Sequence, residues 1–585
     1  NERTRDTILM AYIEKIFGAP GTGKTHNLVE RLQGYLDKNC PFEQTLTISF
    51  TRVAARNIKE RIQERNDNKF NKEELRHSVR TIDSYLKNKL KKYGEDKDIC
   101  YPDNYLAEFY QVKKNTEINE DKKSNFYIAM DIIKNGRITI DDGIENILKY
   151  YDSQKRTDIG RKFLIQVAES YENYKKNHQQ MDWEDVKYKS LQDKIKFDHN
   201  IVLMIDEAQD CNRLSWLIIN KLIAVSKNIY IAGDDDQAIY RFNGGKVETF
   251  LELPVDKTTV LKESRRLNKK IWVLAEKIIH LIPKEERQEK QYTALNENEY
   301  NMPHCGLIHN FRNKESFEKN YLNMKITDPE VDIHWLFLSR NNDEKDRRYS
   351  NENYNWSQIL AKNNLTWEKI DKSNGVSTGA ERSTTPNVPI DQIQHIETWT
   401  MLQKGDRILG EKIKEFFKPI PAPLFRERKK TKLIQSDSII LKDGQYNYDD
   451  LKSKFYFEAN INDPWHEILT LKPRKGTEEN YTDYIQYLKN IMENGNYKKS
   501  KHILFSTIHG AKGLESANTV LNCDWPRLPY DTYCRGGKDR DDEIRVFYVG
   551  VTRTKYNLFL YQPDFSLGEY KGMRHNNFWN KIRGK

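Results

Sequence analysis

A glycine-rich run set between an apolar strand and a helical pattern constrains this chain more than any other feature. Residues 18–25 read Gly18-Ala19-Pro20-Gly21-Thr22-Gly23-Lys24-Thr25. They follow the apolar stretch Ala11–Phe17, which predicts a strand, and open a helical pattern from His26 to Leu36. The glycines let backbone N–H groups turn inward on a polyphosphate, and the helix N-terminus adds positive partial charge. Lys24 is placed to reach the β- and γ-phosphates, and Thr25 to hold Mg²⁺. The pattern predicts a nucleoside triphosphate site.

Further short apolar runs predict buried parallel strands: Thr45–Phe50, Ile201–Asp206, Asn228–Gly233, Ile333–Ser339, Ile503–Thr507 and Asn557–Tyr561. Most precede helical patterns, which implies doubly wound α/β units with functional loops at the carboxyl ends of strands. Two stretches break the rhythm. Residues 86–197 are rich in Lys, Asp and Tyr with helical period. Residues 376–496 carry Gly/Ser/Thr/Pro-rich and basic passages. Both read as insertions into α/β cores.

The length of 585 residues suggests several domains, each with its own core. A net charge of +10 favours a polyanionic partner. Six scattered cysteines with no C-x-x-C pair argue against a zinc site, an iron–sulfur site or a disulfide scaffold, and fit a reducing cytosol. No apolar run has the length of a membrane span. Met10 stands just before the first predicted strand, so residues 1–9 read as a leader, a tag remnant or the end of a longer protein.

Two acidic loops refine the chemistry. Asp206-Glu207-Ala208-Gln209-Asp210 follows the run Ile201–Ile205. A carboxylate there can take the Mg²⁺ position opposite Thr25, and Glu207 can polarise the attacking water. Gly233-Asp234-Asp235-Asp236-Gln237-Ala238-Ile239-Tyr240-Arg241-Phe242 follows another strand. Gln237 is placed to sense the γ-phosphate, while Tyr240 and Phe242 can stack on bases.

The order and spacing of these motifs resemble the superfamily 1 helicases of the UvrD/Rep type. Phe50-Thr51-Arg52 and the residues that follow, to Ile58, are similar to the family's motif Ia. Asp182-Trp183-Glu184-Asp185-Val186 resembles its short acidic-aromatic signature. Leu261 to Arg266 resembles motif IV, Ser506 to Glu515 motif V, and Phe547 to Arg553 motif VI. The resemblance implies two RecA-like P-loop motor domains, parallel sheets flanked by helices, each carrying a mainly helical insertion. The expected order is core one (1–85 and 198–260) interrupted by an insertion (86–197), then core two (261–375 and 497–585) interrupted by another (376–496).

The same resemblance implies ATP and Mg²⁺ as cofactors. Arg266 and Arg553 are then arginine fingers from the second core, and Glu515 binds the ribose. Phe50, Thr51, Arg52, Thr81, Tyr240, Phe242, Thr507 and His509 face single-stranded DNA. Arg265 stands where the family carries an adenine-stacking tyrosine, and no Gln precedes Gln33, so loose nucleotide selectivity is expected.

The implied activity is ATP-driven 3′→5′ translocation on single-stranded DNA with duplex unwinding, in the cytoplasm of a bacterium, an archaeon or a virus-infected host. Implied partners are single strands, single-strand/duplex junctions, and replication, repair or defence proteins, with no membrane. One alternative is an ATP-gated single-strand-binding sensor subunit without strong unwinding; another is a P-loop small-molecule kinase.

Overall fold

The computed structural model describes residues 11–50, 52–67, 69–111, 118, 120–136, 144–153, 159–241, 244–294, 308–322, 334–340, 356, 359–360, 363, 365, 368–369, 389–417, 445–454, 486, 489–490, 492–493, 503–523 and 527–562. They form two compact units. The first contains residues 1–307, 526–556 and 577–585; the second contains 308–525 and 557–576.

In the first unit, six strands are β1 (Tyr12–Gly18), β2 (Thr45–Ser49), β3 (Val79–Thr81), β4 (Asn200–Asp206), β5 (Ser226–Gly233) and β6 (Lys257–Leu261). They make an all-parallel sheet in the order β3-β2-β4-β5-β1-β6. Side chains alternate between the two faces, and both faces are covered. Phe17, Leu203, Ile205, Ile229 and Ile231 pack on one side with Leu86, Trp216 and Ile218. Ile16, Val202, Met204, Tyr230 and Ala232 pack on the other with Leu28, Leu32 and Ile58. Burial on both faces explains why these strands read as continuous apolar runs in the sequence.

Topology decides where a site can form. β4, β5 and β1 are adjacent, so the loops leaving their carboxyl ends lie side by side at one edge of the sheet. These are the loops of Gly18–Thr25, Asp206–Asp210 and Asp234–Tyr240.

Among the described residues, the first insertion is helical. Helices Pro102–Phe109, Glu120–Gly136, Ile144–Ser153 and Arg161–Asn177 close around Tyr105, Phe126, Leu164 and Tyr171. The acidic-aromatic signature starts the helix Trp183–Ser190. Asp182 and Asp185 form a reciprocal capping box, and both carboxylates take Lys175 Nζ, at 3.0 and 2.7 Å.

The second unit carries a six-stranded sheet of β7 (Ile308–Phe311), β8 (Trp335–Ser339), β9 (Glu368–Lys369), β10 (Ile503–Thr507), β11 (Ser516–Asn522) and, from residue 557 on, β12 (Thr554–Tyr561), in the order β7-β12-β11-β8-β10-β9, with parallel pairing of β7 to β12 and among β11, β8, β10 and β9. Residues 558–561 of β12 pair with β7. Its interior is aromatic: Phe317 lies 5.3 Å from the Trp356 ring and 5.3 Å from the Phe559 ring. The described part of the second insertion includes helices Pro389–Gln403, Gly410–Phe417 and Tyr448–Lys454 beside an antiparallel pair, Ile408–Leu409 with Gln445–Tyr446.

The compact units divide the chain differently from the motif-based boundaries. Residues 261–307 and 526–556 belong with the first unit. The physical reason is polar: Arg287, Lys290, Arg545 and Arg553 all bond to the loop 234–237.

Candidate nucleotide-hydrolysis site

Gly21 and Gly23 adopt φ of 78° and 80°, a region costly for any residue with a Cβ. Space is as restrictive as conformation. A Cβ on Gly18 would stand 2.3 Å from Thr22 Oγ1, and one on Gly21 would stand 2.4 Å from the Arg266 Cβ. Thr22 closes the loop by donating from N–H (3.2 Å) and hydroxyl (2.9 Å) to Ala19 O. The Lys24 side chain turns back into the loop, and Nζ donates to Gly18 O at 2.7 Å and Ala19 O at 3.4 Å. Lys24 is 8% exposed. Burial pulls its pKa down, while Asp234, Glu207 and Asp206 oppose that shift.

Thr25 begins the helix Lys24–Leu36 proper and donates its hydroxyl to Asp206 Oδ2 at 2.8 Å. Asp206 ends β4 and is 2% exposed. Burial and the neighbouring Glu207 charge push its pKa up to about 6. A half-buried hydroxyl and a buried carboxylate at hydrogen-bond distance form an oxygen donor pair suited to Mg²⁺, which keeps several waters and needs few protein ligands. Among the described residues, no group of three or more His, Cys, Asp or Glu is placed to hold a metal. The loop geometry and this donor pair fit a triphosphate with Mg²⁺.

Glu207 takes the left-handed conformation, φ 58°. A non-glycine residue there is uncommon, and such strain persists where its surroundings hold it. One such hold is Gln209 Nε2, which donates to Glu207 Oε2 at 2.5 Å, while Gln209 Oε1 accepts from Asp234 N–H at 3.0 Å. Gln209 thus ties the β4 loop to the β5 loop.

In the β5 loop, Gln237 Nε2 donates to Asp234 Oδ2 at 2.5 Å, and Gln237 Oε1 accepts from Arg553 Nη2 at 3.0 Å. Arg553 is 1% exposed and also donates to Val549 O at 3.0 Å. Arg266 lies against Gly21, and its Nη1 approaches Thr552 O at 3.5 Å. Ser264 donates to Pro20 O at 2.7 Å, and Arg265 N–H donates to Gly21 O at 2.9 Å with its side chain exposed. The motif IV segment therefore rests on the phosphate loop itself.

The first unit thus assembles residues 18–25, Asp206, Glu207, Gln237, Arg265, Arg266 and Arg553. Phe50 and Tyr240 also meet there, ring centroids 5.6 Å apart and planes at 32°. Thr81 accepts from Ser84 N–H at 3.3 Å as the N-cap of the helix Ile82–Lys92. Arg52 opens the helix Arg52–Arg65. Thr51 and Phe242 lie outside the described residues.

Thr507, His509 and Glu515 belong to the second unit. Thr507 Oγ1 accepts from Gly510 N–H at 2.9 Å, His509 Nδ1 lies 3.4 Å from Arg340 Nη1, and Glu515 immediately precedes β11.

Sequence reasoning missed Gln209, Asp234, Arg287, Lys290 and Arg545. Three consecutive aspartates that end up buried need cations, which is a signal that something basic must come near. Nothing local points to Lys290, 54 positions beyond Asp236.

Parallel sheets flanked by helices, with a glycine-rich loop after β1 and carboxylates after β4, one strand away across β5, define a RecA-like P-loop protein. Residues 9–258 match the family described as UvrD/REP helicase N-terminal domain. The motif resemblance is upheld: the chain is similar to the UvrD-type superfamily 1 helicases. It is similar to the "Probable DNA helicase II homolog" of Mycoplasma pneumoniae, 22% identical across 93% of this chain and 81% of that protein. The protein of the same name from Mycoplasma genitalium is also 22% identical, across 94% of this chain and 82% of that protein. The "ATP-dependent DNA helicase PcrA" of Staphylococcus aureus is 25% identical across 45% of this chain and 37% of that protein.

Proposed function

We propose that the chain is an ATP-dependent DNA helicase of the UvrD/PcrA type that moves 3′→5′ on single-stranded DNA and separates duplexes at single-strand/duplex junctions. The observation that carries the chemistry is the Thr25–Asp206 pair at 2.8 Å beneath a phosphate loop that holds the buried Lys24. The family match and the names of the relatives support DNA as the track. The direction of movement rests on the family resemblance.

Thr25 and Asp206 would hold Mg²⁺, which would supply neutralisation of the phosphate charge. Lys24 exchanges the Gly18 and Ala19 carbonyls for phosphate oxygens, which removes the burial penalty on its ammonium by giving it anionic partners. Glu207 accepts the proton of the attacking water as the water oxygen bonds to the γ-phosphorus and the bond to the β–γ bridging oxygen breaks. Arg266 and Arg553 stabilise the charge that develops on the transferring phosphoryl group. Phe50 and Tyr240 offer π-faces to bases, a contact that tolerates any sequence.

The deciding experiment is strand displacement on 3′-tailed and 5′-tailed duplexes with ATP, using Lys24→Ala as the inactive control. Displacement of the 3′-tailed duplex alone is expected. Displacement of the 5′-tailed duplex alone refutes the polarity. DNA-stimulated hydrolysis without displacement replaces the helicase reading with the sensor reading.

A further inference from the structure

Lys290 has a fully buried side chain, yet it stands outside every motif. Its Nζ donates to Asp234 Oδ1 at 2.6 Å and Asp236 Oδ2 at 2.9 Å, and it pairs with Asp235. Arg287 clamps Asp236 through two bonds, 2.9 and 2.7 Å, and Gln288 N–H donates to Asp235 Oδ2 at 2.8 Å. A cation taken fully out of water is costly unless it is well paired, so each of these contacts constrains the loop strongly. Asp234 is the shared member. Its Oδ1 takes Lys290, its Oδ2 takes the Gln237 amide, and its N–H reaches Gln209. From Gln237 the chain of bonds continues to Arg553, and from Gln209 to Glu207.

We propose that Lys290 is a positioning residue for hydrolysis: by fixing the Asp234 carboxylate it sets the orientation of Gln237 and Arg553 on one side and of Glu207 on the other. The proposal rests on the hydrolytic reading of the site above. Rotation of the Asp234 carboxylate moves both oxygens together, so the short charged contact of Lys290 on Oδ1, beside the longer Asp236 N–H bond at 3.2 Å, holds Oδ2 on the Gln237 amide. A misplaced Gln237 then presents the wrong atom to Arg553. Lys290 touches none of the reacting atoms in this scheme, so its loss leaves ATP binding intact and slows turnover.

The test compares steady-state, DNA-stimulated ATP hydrolysis of the wild type with two variants of the full chain. Lys290→Met/Asp235→Asn removes one charge of each sign and leaves the Asp234–Gln237 bond available. Lys290→Arg retains the charge but replaces the compact ammonium with a planar fork. Both variants are expected to melt near the wild-type temperature with KM for ATP within about twofold of wild type. Misplacement on the ångström scale predicts kcat down about 100-fold in the charge-balanced variant and less in Lys290→Arg. A folded charge-balanced variant with wild-type kcat overturns the proposal, because Lys290 would then only neutralise buried charge. If that variant does not fold, wild-type kcat in Lys290→Arg overturns it, and unfolding of both overturns it in favour of a purely structural role. A wild type that hydrolyses no ATP with DNA present sinks the hydrolytic reading instead, so the two failures are distinguishable.

Discussion

The two units both have apolar cores, but they differ in what else they bury. At the carboxyl edge of its sheet the first unit buries Lys24, Asp206, Asp234, Asp235, Gln237, Lys290 and Arg553. The second fills its interior with Phe311, Phe317, Trp335, Phe337 and Phe559. Buried charges hold geometry only through specific partners, and losing one partner leaves another uncompensated. Burial of aromatic surface is largely non-directional and spreads its contribution over large apolar areas. The first unit is therefore built to keep reactive groups at fixed distances, and the second to stay whole.

That contrast predicts that substitutions in the first unit alter rates before stability, while those in the second alter stability first. The largest effect is expected at Glu207. Glu207→Gln removes the proton acceptor and is expected to lower kcat by about 10²–10⁴-fold. Filter binding of ATP and of single-stranded DNA by this variant is expected to match wild type. Normal turnover would take Glu207 out of the role of base.

Next comes the aromatic interior. Phe317→Ala leaves a cavity between Trp335, Trp356 and Phe559, at a cost of about 3–5 kcal/mol. Calorimetry should register this as a lowered unfolding temperature. An unchanged melting profile would break the comparison.

A smaller effect is expected at Tyr240, which lies against Phe50. Tyr240→Ala should weaken single-strand binding by about 1–3 kcal/mol with little preference for base sequence. Fluorescence anisotropy with homopolymer strands measures both. Unaltered affinity would remove Tyr240 from the track.

The smallest effect concerns pH. Burial raises the pKa of Glu248, but Lys538, donating at 2.5 Å, and Arg241, at 3.0 Å, outweigh it and bring the pKa to about 2, below the usual 4.5. A depressed folded-state pKa stabilises above the unfolded value and is lost as pH falls from about 4.5 toward 2. The side chain is partly open to solvent, so screening limits the contribution to about 1 kcal/mol. Glu248→Gln should therefore be less stable than wild type at neutral pH and converge with it in acid. A gap that persists in acid would assign the effect to packing.

Most strands of both sheets were legible as apolar runs because parallel strands covered on both faces carry little polar alternation. Val79–Thr81, Lys257–Leu261, Ile308–Phe311, Glu368–Lys369 and Ser516–Asn522 were not, since each is short or interrupted by polar residues such as Arg80, the threonines of Lys257–Leu261 and Asn518. The phosphate loop, the Asp206–Glu207 pair and Gln237 were legible because each sits in one short segment whose local order implies its chemistry. Lys290 and Gln209 were not. Their meaning depends on which distant carboxylate or backbone N–H they meet.

By itself, the order of residues determined a glycine-rich turn between strand and helix and acidic loops after later strands, while a role for Arg553 rested on the family resemblance. These are local properties of bonding and conformation. Only the tertiary structure decided that the β1, β4 and β5 loops share one edge, that Arg266 rests on Gly21, and that a lysine from outside every motif neutralises three aspartates. Hydrogen bonds and charge pairs act over a few ångströms, and strand order together with the packing of helices and loops on the sheet determines which distant residues come that close.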